Sequence, residues 1–144
     1  MSWARSMPEG TVEVEGHVLR CTNPVKLGTP RGVVDGCIAT TDFGPGLQTV
    51  HLTGIVETLM VNTSTPIDDE TTDTSFAYTV NTSGDEKAAK GVGAAIIRDL
   101  EKQMSEDIPI WEHKKYFKQP LLCDGDGKFG IYRKWMRQFF SEEW

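Results

Sequence analysis

The sequence predicts an α+β fold in which an antiparallel sheet precedes one long helix. Between residues 11 and 82, segments that alternate apolar and polar side chains are separated by turns rich in Gly and Pro, which is typical of antiparallel strands. Residues 85–116 instead repeat apolar side chains at spacings of three and four, which is typical of an amphipathic helix. This order predicts a curved sheet with the helix across one face and a cavity between them.

Four or five strands are expected before the helix. The first is TVEVEGHVLRC, which we expect to bulge or bend at Gly16 and to be broken by Asn23, Pro24 and the GTPRG stretch of residues 28–32. The next is GVVDGCIATTDF, which a GPG turn ends. The following stretch, LQTVHLTGIVETLMVNTSTPI, is too long for one short strand, and we expect a break at Gly54. After a turn, the threonine-rich ETTDTSFAYTVNTS forms the last strand, since threonine favours a pleated surface.

The long helix should bury one apolar stripe against the sheet. Ser83 or Asp85 is expected to cap its first turn. The predicted stripe comprises Ala89, Val92, Ile96, Leu100, Met104, Ile108 and Trp111. Together with inward strand residues, it predicts an apolar pocket that accepts a rigid hydrophobic ligand. The residues predicted to line this pocket are Val92, Ile96, Leu100, Gln103, Met104 and Phe76.

One acidic side chain falls where this stripe calls for an apolar residue. Ile96, Leu100, Gln103 and Asp107 lie on nearly one line, because they follow each other at i, i+4, i+7 and i+11. Pro109, two residues later, cannot donate a helix hydrogen bond and should kink the helix beside this acid. Asp107 is therefore either the cap of a segment that restarts at Pro109 or a functional carboxylate, and spacing alone leaves both interpretations open.

Composition and charge bound the class of protein. The 144 residues suit a single domain, 1–144, and 38% hydrophobic with 25% charged residues is ordinary for a globular chain. A membrane span needs about 20 consecutive apolar residues, and the sequence has no such run. The opening MSWARSMPEG lacks the apolar core of a signal peptide, which predicts a cytoplasmic protein. The three cysteines have no paired spacing, and free thiols are expected.

Nucleic-acid binding is not expected of this chain. A net charge of −6 opposes contact with phosphates. The aromatic C-terminal segment IYRKWMRQFFSEEW admits base stacking, but its packing onto the domain or onto a neighbouring subunit is the interpretation that the acidic charge favours. No G-x-S-x-G, H-E-x-x-H or Gly-rich phosphate loop occurs, so motifs alone assign no catalytic and no cofactor-binding residue.

The C-terminal third of the chain resembles a known family. The run EDIPIWEHKKYFKQPLLCDGDGKFGIYRKWMRQFF, residues 106–140, is similar to the C-terminal end of Rieske non-haem iron oxygenases of the 3-ketosteroid 9α-hydroxylase and cholesterol 7-desaturase group. That family carries D-I-P-I-W-E-x-K-x-Y, then P-x-L-x-x-x-D-G-P, then R-x-W-x-x-Q-F-Y in this order. Upstream, EGHVLRC, GPG and TPIDDET resemble the same family more loosely, so the resemblance extends from Gly10 onward.

The resemblance implies a fold and a metal ligand. The family's catalytic domain is a helix-grip fold of the START/Bet v 1-like kind, of which this chain would be an incomplete version. Its mononuclear iron is held by two His and one Asp from the long helix, and Asp107 is the matching position. Such a facial triad leaves coordination positions open for oxygen. The complete family also carries a [2Fe-2S] cluster.

Several departures from the family pattern limit what these residues can do alone. The cluster requires C-x-H and C-x-x-H pairs, which the sequence lacks. The iron histidines would fall just ahead of residue 1 or within MSWARSMPEG, which contains no His. Lys128 and Phe140 also replace a Pro and a Tyr of the family pattern. The isolated chain is therefore expected to hold no cofactor and to be inactive by itself.

Three functions remain open at this stage. The chain could be the C-terminal catalytic portion of an oxygenase whose Rieske cluster and iron histidines lie on a separate chain or on an upstream reading frame. It could instead be a non-catalytic helix-grip module that binds a sterol or another hydrophobic ligand. It could also be a vestigial or oligomer-forming fragment. The corresponding partners are a steroid-like apolar molecule, a Rieske-bearing chain and a second copy of this chain.

Overall fold

A computed structural model of the chain describes residues 10–29, 32–83, 86–123, 126 and 128–141. The opening stretch of residues 1–9, the predicted cap Asp85 and the side chain of Ala89 lie outside the described residues.

The strands form one antiparallel sheet of six strands in the chain order β1-β2-β3-β4-β5-β6. Every neighbouring pair in this sheet is therefore also adjacent in sequence. The strands are β1 (Thr11–Glu15), β2 (Val18–Thr29), β3 (Gly32–Phe43), β4 (Leu47–Thr53), β5 (Thr58–Pro66) and β6 (Thr72–Val80). The sheet and the helices that follow it confirm the α+β class, while the helix-grip identity stays a prediction.

The first predicted strand is in fact a hairpin, which raises the strand number above the expected four or five. Gly16 does not form a bulge: with His17 it makes the two-residue turn between β1 and β2, and its φ of +56° lies in the left-handed region that glycine adopts readily. Pro24 does not break the chain either, because β2 continues through it to Thr29. The pairing of β1 with β2 ends at Thr22, so Pro24 has β3 on one side only, and a residue without an N–H is tolerated there.

The turns downstream follow the prediction more closely. The stretch that was expected to break at Gly54 divides into β4 and β5, and Gly54 has a φ of +120°. The turn between β5 and β6 is closed by Asp68, whose carboxylate accepts hydrogen bonds from the backbone N–H groups of Glu70 (2.9 Å) and Thr71 (2.7 Å).

The core lies between one face of the sheet and the long helix. Alternate residues of each strand point to this inner face, as the two-residue period of a strand requires. The buried hydrophobic residues are Leu19, Val25, Leu27, Val50, Met60, Ile96, Leu100 and Trp135. The first five belong to the strands, and the next two belong to the helix.

Helix α1 (Glu86–Glu112) runs back along β6 and extends past Pro109. It packs tightly against the sheet at Gly93, where a Cβ atom would lie only 2.6 Å from a methyl group of Val80. Because Gly93 is the buried residue here, the covered line of the helix runs through Gly93, Ile96 and Leu100, and Val92 is 37% exposed. Within the described part of the chain, no helix has both the length and the apolar character needed to cross a bilayer.

A second, short helix packs against the first hairpin. Helix α2 (Phe129–Met136) is followed by a 3₁₀ turn at Arg137–Phe139. The indole Nε1 of Trp135, which is 4% exposed, donates a 3.1 Å hydrogen bond to the carbonyl of Gly16, and Gln138 Nε2 donates another of 3.1 Å to the same oxygen. The aromatic C-terminal segment therefore packs onto the domain, which was the interpretation that the acidic charge favoured.

Candidate functional site

A row of polar side chains crosses the inner face of the sheet. Asp42 on β3, Gln48 on β4 and Asn62 on β5 lie directly opposite one another in the strand register. Gln48 Nε2 donates to Asp42 Oδ1 (2.8 Å), and Asn62 Nδ2 donates to Gln48 Oε1 (2.9 Å). In the same register, Leu19 lies beside Asp42 and Phe76 lies beside Asn62. The hydrogen-bonded polar row is thus bounded by an apolar residue at each end.

Asp42 is the electrostatic centre of this row. Asp42 is only 6% exposed, and burial raises the pKa of its carboxyl group, while the hydrogen bond from Gln48 opposes that rise. The pKa of Tyr132 is raised by burial and, to a lesser degree, by the charge of Asp42. Burial likewise raises the pKa of the Cys21 thiol; the Thr40 hydrogen bond opposes this rise, and the Asp42 charge adds to it. The carboxylate therefore lies close enough to influence both Tyr132 on α2 and Cys21 on β2.

A cavity of about 290 Å³ opens over the polar row. We call it the row cavity. Its floor is polar, with Asp42, Gln48 and Asn62, whereas Phe76 on β6, Trp111 on α1 and Tyr132 on α2 contribute aromatic rings. The remaining lining residues are Gly44, Pro45, Gly46, Leu47, Ser64 and Thr74. Such a combination of rings with directed polar groups suits a ligand that has an apolar face and carries a hydroxyl or keto oxygen.

Two buried polar atoms near the sheet and helix have no hydrogen-bond partner within the described residues. They are Asn62 Oδ1, an acceptor, and Gln103 Nε2, a donor. Leaving such an atom buried and unpaired costs about 1 to 3 kcal/mol. Asn62 also lines the row cavity, so its free oxygen is a place where a ligand hydroxyl could be accommodated.

Asp107 lies on α1 one turn before Trp111, which lines the row cavity. It is half-buried, and across the described ranges it has no hydrogen-bond or ion-pair partner. The helix is continuous through Asp107 to Glu112, so this residue does not cap a segment that restarts at Pro109. Its line with Ile96, Leu100 and Gln103 is covered, because the first two are buried and Gln103 is half-buried. The carboxylate itself is not among the lining residues of the row cavity.

The residues predicted to line a substrate pocket do not come together around one cavity. Phe76 lines the row cavity, whereas Ile96 borders a separate gap of only about 20 Å³ between the helix and β2 to β5. Leu100 is buried, Gln103 and Met104 are half-buried, and Val92 is exposed. The larger open space therefore lies at the Trp111 end of α1, and a ligand along the Val92 end stays a prediction.

The histidines do not converge on Asp107. His17 is exposed in the first hairpin turn, and His51 Nε2 lies 2.8 Å from Glu57 Oε1 on the sheet. His113 follows α1, and its Nδ1 lies 2.8 Å from the carbonyl of Pro109. Among the residues that the structure describes, no three His, Cys, Asp or Glu side chains come together as a metal site would require. These residues alone do not fit an iron ion, because they offer one carboxylate and no imidazole pair.

Sequence reasoning singled out Asp107 and Phe76 but missed the polar row. Its members are separated by 6 and 14 positions, so only the strand register brings them together. A signal was present, since Gln48 and Asn62 occupy inward positions in strands whose other inward residues include Val50 and Met60. A polar residue at an inward position of a half-buried strand is the feature that could have identified the site.

Comparisons with known proteins identify the family of the chain. The family model described as 3-ketosteroid 9alpha-hydroxylase C-terminal domain matches residues 10–140. The oxygenase component of 3-ketosteroid-9-alpha-monooxygenase from Rhodococcus rhodochrous is 29% identical over 112 residues, which cover 69% of this chain and 28% of that protein. Cholesterol 7-desaturase nvd 2 from Ciona intestinalis is 29% identical over 101 residues, covering 69% and 22% of the two chains.

A shorter match is more similar. Cholesterol 7-desaturase from Caenorhabditis elegans is 45% identical over 40 residues, which cover 28% of this chain and 9% of that protein. The chain thus spans less than a third of the length of each of these relatives. Because the family model extends over most of the chain, including all strands and helices described above, the chain belongs to the family of the 3-ketosteroid 9α-hydroxylase C-terminal domain.

Proposed function

We propose that this chain is the C-terminal portion of the catalytic domain of a Rieske-type non-haem iron oxygenase that acts on a steroid-like or other apolar substrate. The names of its relatives, 3-ketosteroid-9-alpha-monooxygenase and cholesterol 7-desaturase, support a steroid-like substrate. The observation that carries the proposal is Asp107, a half-buried carboxylate on the covered line of the long helix.

The environment of Asp107 supports a role as a metal ligand. Its carboxylate is half-buried and has no hydrogen-bond or ion-pair partner among the described residues, so it is available to a cation. Two imidazoles and one carboxylate form the facial triad of non-haem iron oxygenases. We propose that Asp107 supplies the carboxylate and that the two histidines and the [2Fe-2S] cluster lie outside these 144 residues. An iron so held would supply oxygen activation, and the isolated chain is expected to be inactive.

The row cavity supports the binding of a rigid apolar molecule. Phe76, Trp111 and Tyr132 offer flat aromatic surfaces, and Asn62 Oδ1 offers a buried acceptor to a hydroxyl group. We propose that the substrate contacts these rings and directs one oxygen to the polar row. Because Asp107 precedes Trp111 by one helical turn, a ligand against this indole would also lie near the proposed metal ligand.

The alternative is a non-catalytic helix-grip module that binds a sterol or another hydrophobic ligand. The row cavity favours it, because the aromatic rings and the free acceptor of Asn62 are present without any contribution from a metal. The two proposals share the ligand and differ in the role of Asp107. The coding sequence upstream of residue 1 tests the oxygenase proposal, because C-x-H, C-x-x-H and H-x-x-x-x-H motifs there would select it over the binding module.

Ligand binding is tested by thermal unfolding with steroids. A saturating 3-ketosteroid with a hydroxyl group should raise the Tm, because a ligand at about 100 times its Kd stabilises the folded state by about 2.7 kcal/mol. Phe76→Ala should weaken binding, whereas Val92→Ala is the matched control at the far end of the helix. A larger loss with Val92→Ala would move the ligand to the Val92 end. No Tm shift with any steroid or fatty acid would contradict both proposals.

The role of Asp107 is tested by substitution and by metal titration. Asp107→Asn keeps the shape and removes the charge, so it should leave the free energy of unfolding unchanged or raise it. Asp107→Ala serves as the comparison: because Asp107 is not a helix cap, this variant should not show the loss of about 0.5 to 2 kcal/mol that removing a cap would cause. Anaerobic titration should find weak binding of ferrous iron to the isolated chain. Micromolar binding that requires Asp107 and His17 or His51 would contradict the proposed location of the histidines.

A further inference from the structure

A second cavity lies on the other side of Tyr132 and has a different character. It encloses about 380 Å³ between the segment after α1, helix α2 and the residues that follow α2. We call it the cationic cavity. Of the nine described residues that line it, four are positively charged, namely Lys114, Lys115, Arg133 and Arg137, and none is acidic. This concentration of positive charge occurs in a chain whose net charge is −6.

The other lining residues form an apolar surface. Tyr116, Phe129, Met136 and Phe140 contribute rings and a thioether, and Tyr132 forms the wall shared with the row cavity. The volume falls within the range of about 300 to 1,000 Å³ that is usual for small-molecule pockets. An apolar ligand body would therefore find both space and aromatic contacts here.

Arg133 is held in place within this cavity. Its guanidinium carbon lies 4.7 Å from the ring centre of Tyr116 and 4.9 Å from that of Phe129. Its Nη1 also donates a 3.2 Å hydrogen bond to the carbonyl of Lys118. An arginine carries five N–H donors, so these contacts orient the group and leave further donors for a ligand.

Among the residues that the structure describes, no carboxylate neutralises the positive charges of the cationic cavity. Over the described ranges, none of Lys114, Lys115, Arg133 and Arg137 forms an ion pair with an acidic side chain. Asp42 acts electrostatically on Tyr132, and it lines the row cavity rather than the cationic one. Several cations around an apolar surface are complementary to a ligand that has an anionic group and an apolar body.

We propose that the cationic cavity binds a small carboxylate with an apolar body, in addition to the substrate proposed for the row cavity. The carboxylate contacts Arg133 and Arg137 at the rim, with the lysines adding to the positive potential. The apolar body rests on Phe129, Met136 and Phe140. The site is separate from the row cavity, and its occupation does not depend on Asp107 or on a metal.

The test compares two ligands of nearly equal shape by isothermal titration calorimetry. 2-Naphthoate carries the negative charge, and 2-naphthamide is its neutral counterpart. Because a hydrogen bond to a charged group contributes more than a neutral one, 2-naphthoate should bind about tenfold more tightly. Raising the NaCl concentration from about 50 mM to about 500 mM should weaken only the naphthoate, since salt screens the charge interaction.

Variants assign the ligand to this cavity. Arg137 is exposed, so Arg137→Gln should leave the fold intact, lower naphthoate affinity about tenfold and leave naphthamide affinity unchanged. Lys134→Gln is the matched control, because it also removes one positive charge from an exposed residue, three positions from Arg137, that does not line the cavity. It should change naphthoate affinity less than about twofold.

Three results would overturn the proposal. Equal affinities for the acid and the amide would show that the cavity selects apolar bodies without regard to charge. Equal effects of Arg137→Gln and Lys134→Gln would show a response to overall charge alone. The absence of heat with both ligands at millimolar concentration would show that the cavity accepts neither.

Discussion

Replacement of Gly93 by alanine tests how closely α1 packs against the sheet. A Cβ atom at Gly93 would lie 2.6 Å and 2.9 Å from the two methyl carbons of Val80, well inside ordinary contact. Valine is stiff about its first side-chain torsion, so these methyl groups have little freedom to move aside. Overpacking of this kind costs about 1 to 3 kcal/mol. The higher helix propensity of alanine offsets about 1 kcal/mol of this cost. Gly93→Ala should therefore lower the free energy of unfolding by up to about 2 kcal/mol.

Gly91 provides the matched control in the same helix. It is exposed, and a Cβ atom there would meet nothing within 4 Å. Gly91→Ala should thus gain about 0.5 to 1 kcal/mol from helix propensity alone. Since both variants make this gain, the difference between them measures the steric cost at Gly93. In the Gly93→Ala background, Val80→Ala should cost less than in the wild type, because it removes the clash.

The assay is urea unfolding near neutral pH, followed by circular dichroism and tryptophan fluorescence. The midpoints should shift while the m-values stay constant, which indicates a change in stability and not in the surface exposed on unfolding. If Gly93→Ala stabilises the protein as much as Gly91→Ala does, the helix does not approach Val80 at the distance described, and the reasoning fails.

Further predictions concern the polar row and the C-terminal segment. Gln48→Met removes the donor to Asp42 and the acceptor of Asn62, so unfolding should require about 2 to 4 kcal/mol less at neutral pH; a change below about 0.5 kcal/mol would mean that the row is not formed. Burial raises the pKa of Asp42, so the folded state binds this proton more tightly than the unfolded chain, and the resulting stability is present below the unfolded pKa and lost as the pH rises through the folded one. Asp42→Asn keeps an acceptor for Gln48, and its stability advantage in urea unfolding should therefore grow from pH 4 to pH 7; an advantage that shrinks over this range would contradict the burial argument. Trp135→Phe removes the hydrogen bond to Gly16 and part of a buried ring, so the free energy of unfolding should fall by about 1 to 3 kcal/mol, and an unchanged urea midpoint would show that this contact carries no stability.

The fold class was predictable because its signals are local. Alternation along each strand and the three-to-four spacing along α1 are properties of short segments, and they predicted the sheet and the helix. The hairpin at Gly16 was missed because a glycine inside an alternating run is equally consistent with a bulge. The break expected at Pro24 was wrong because the effect of a proline depends on whether a strand lies on its N–H side, which is a property of the sheet and not of the segment.

The polar row could not be predicted to the same degree. Each of its residues is unremarkable within its own strand, and their contact depends on the registers of β3 with β4 and of β4 with β5. A slip of one residue in either register would turn a side chain to the opposite face of the sheet. Residue spacing drew attention to Asp107 because helical periodicity is a property of one segment. It missed Gln48 because a cross-strand row depends on the pairing of three strands.

The hydrogen bond from Trp135 to Gly16 has a consequence for the order in which the chain folds. All sheet pairs join neighbours in sequence, so the sheet can form by successive short loop closures. The Trp135 bond instead joins residues that are 119 positions apart, and closing so long a loop costs chain entropy. We therefore expect this bond to form late, when the sheet already exists. During synthesis the strands can pair before the last segment has left the ribosome, while the Gly16 carbonyl remains hydrated. Loss of this bond should then accelerate unfolding while leaving the refolding rate nearly unchanged, because the bond is absent from the transition state.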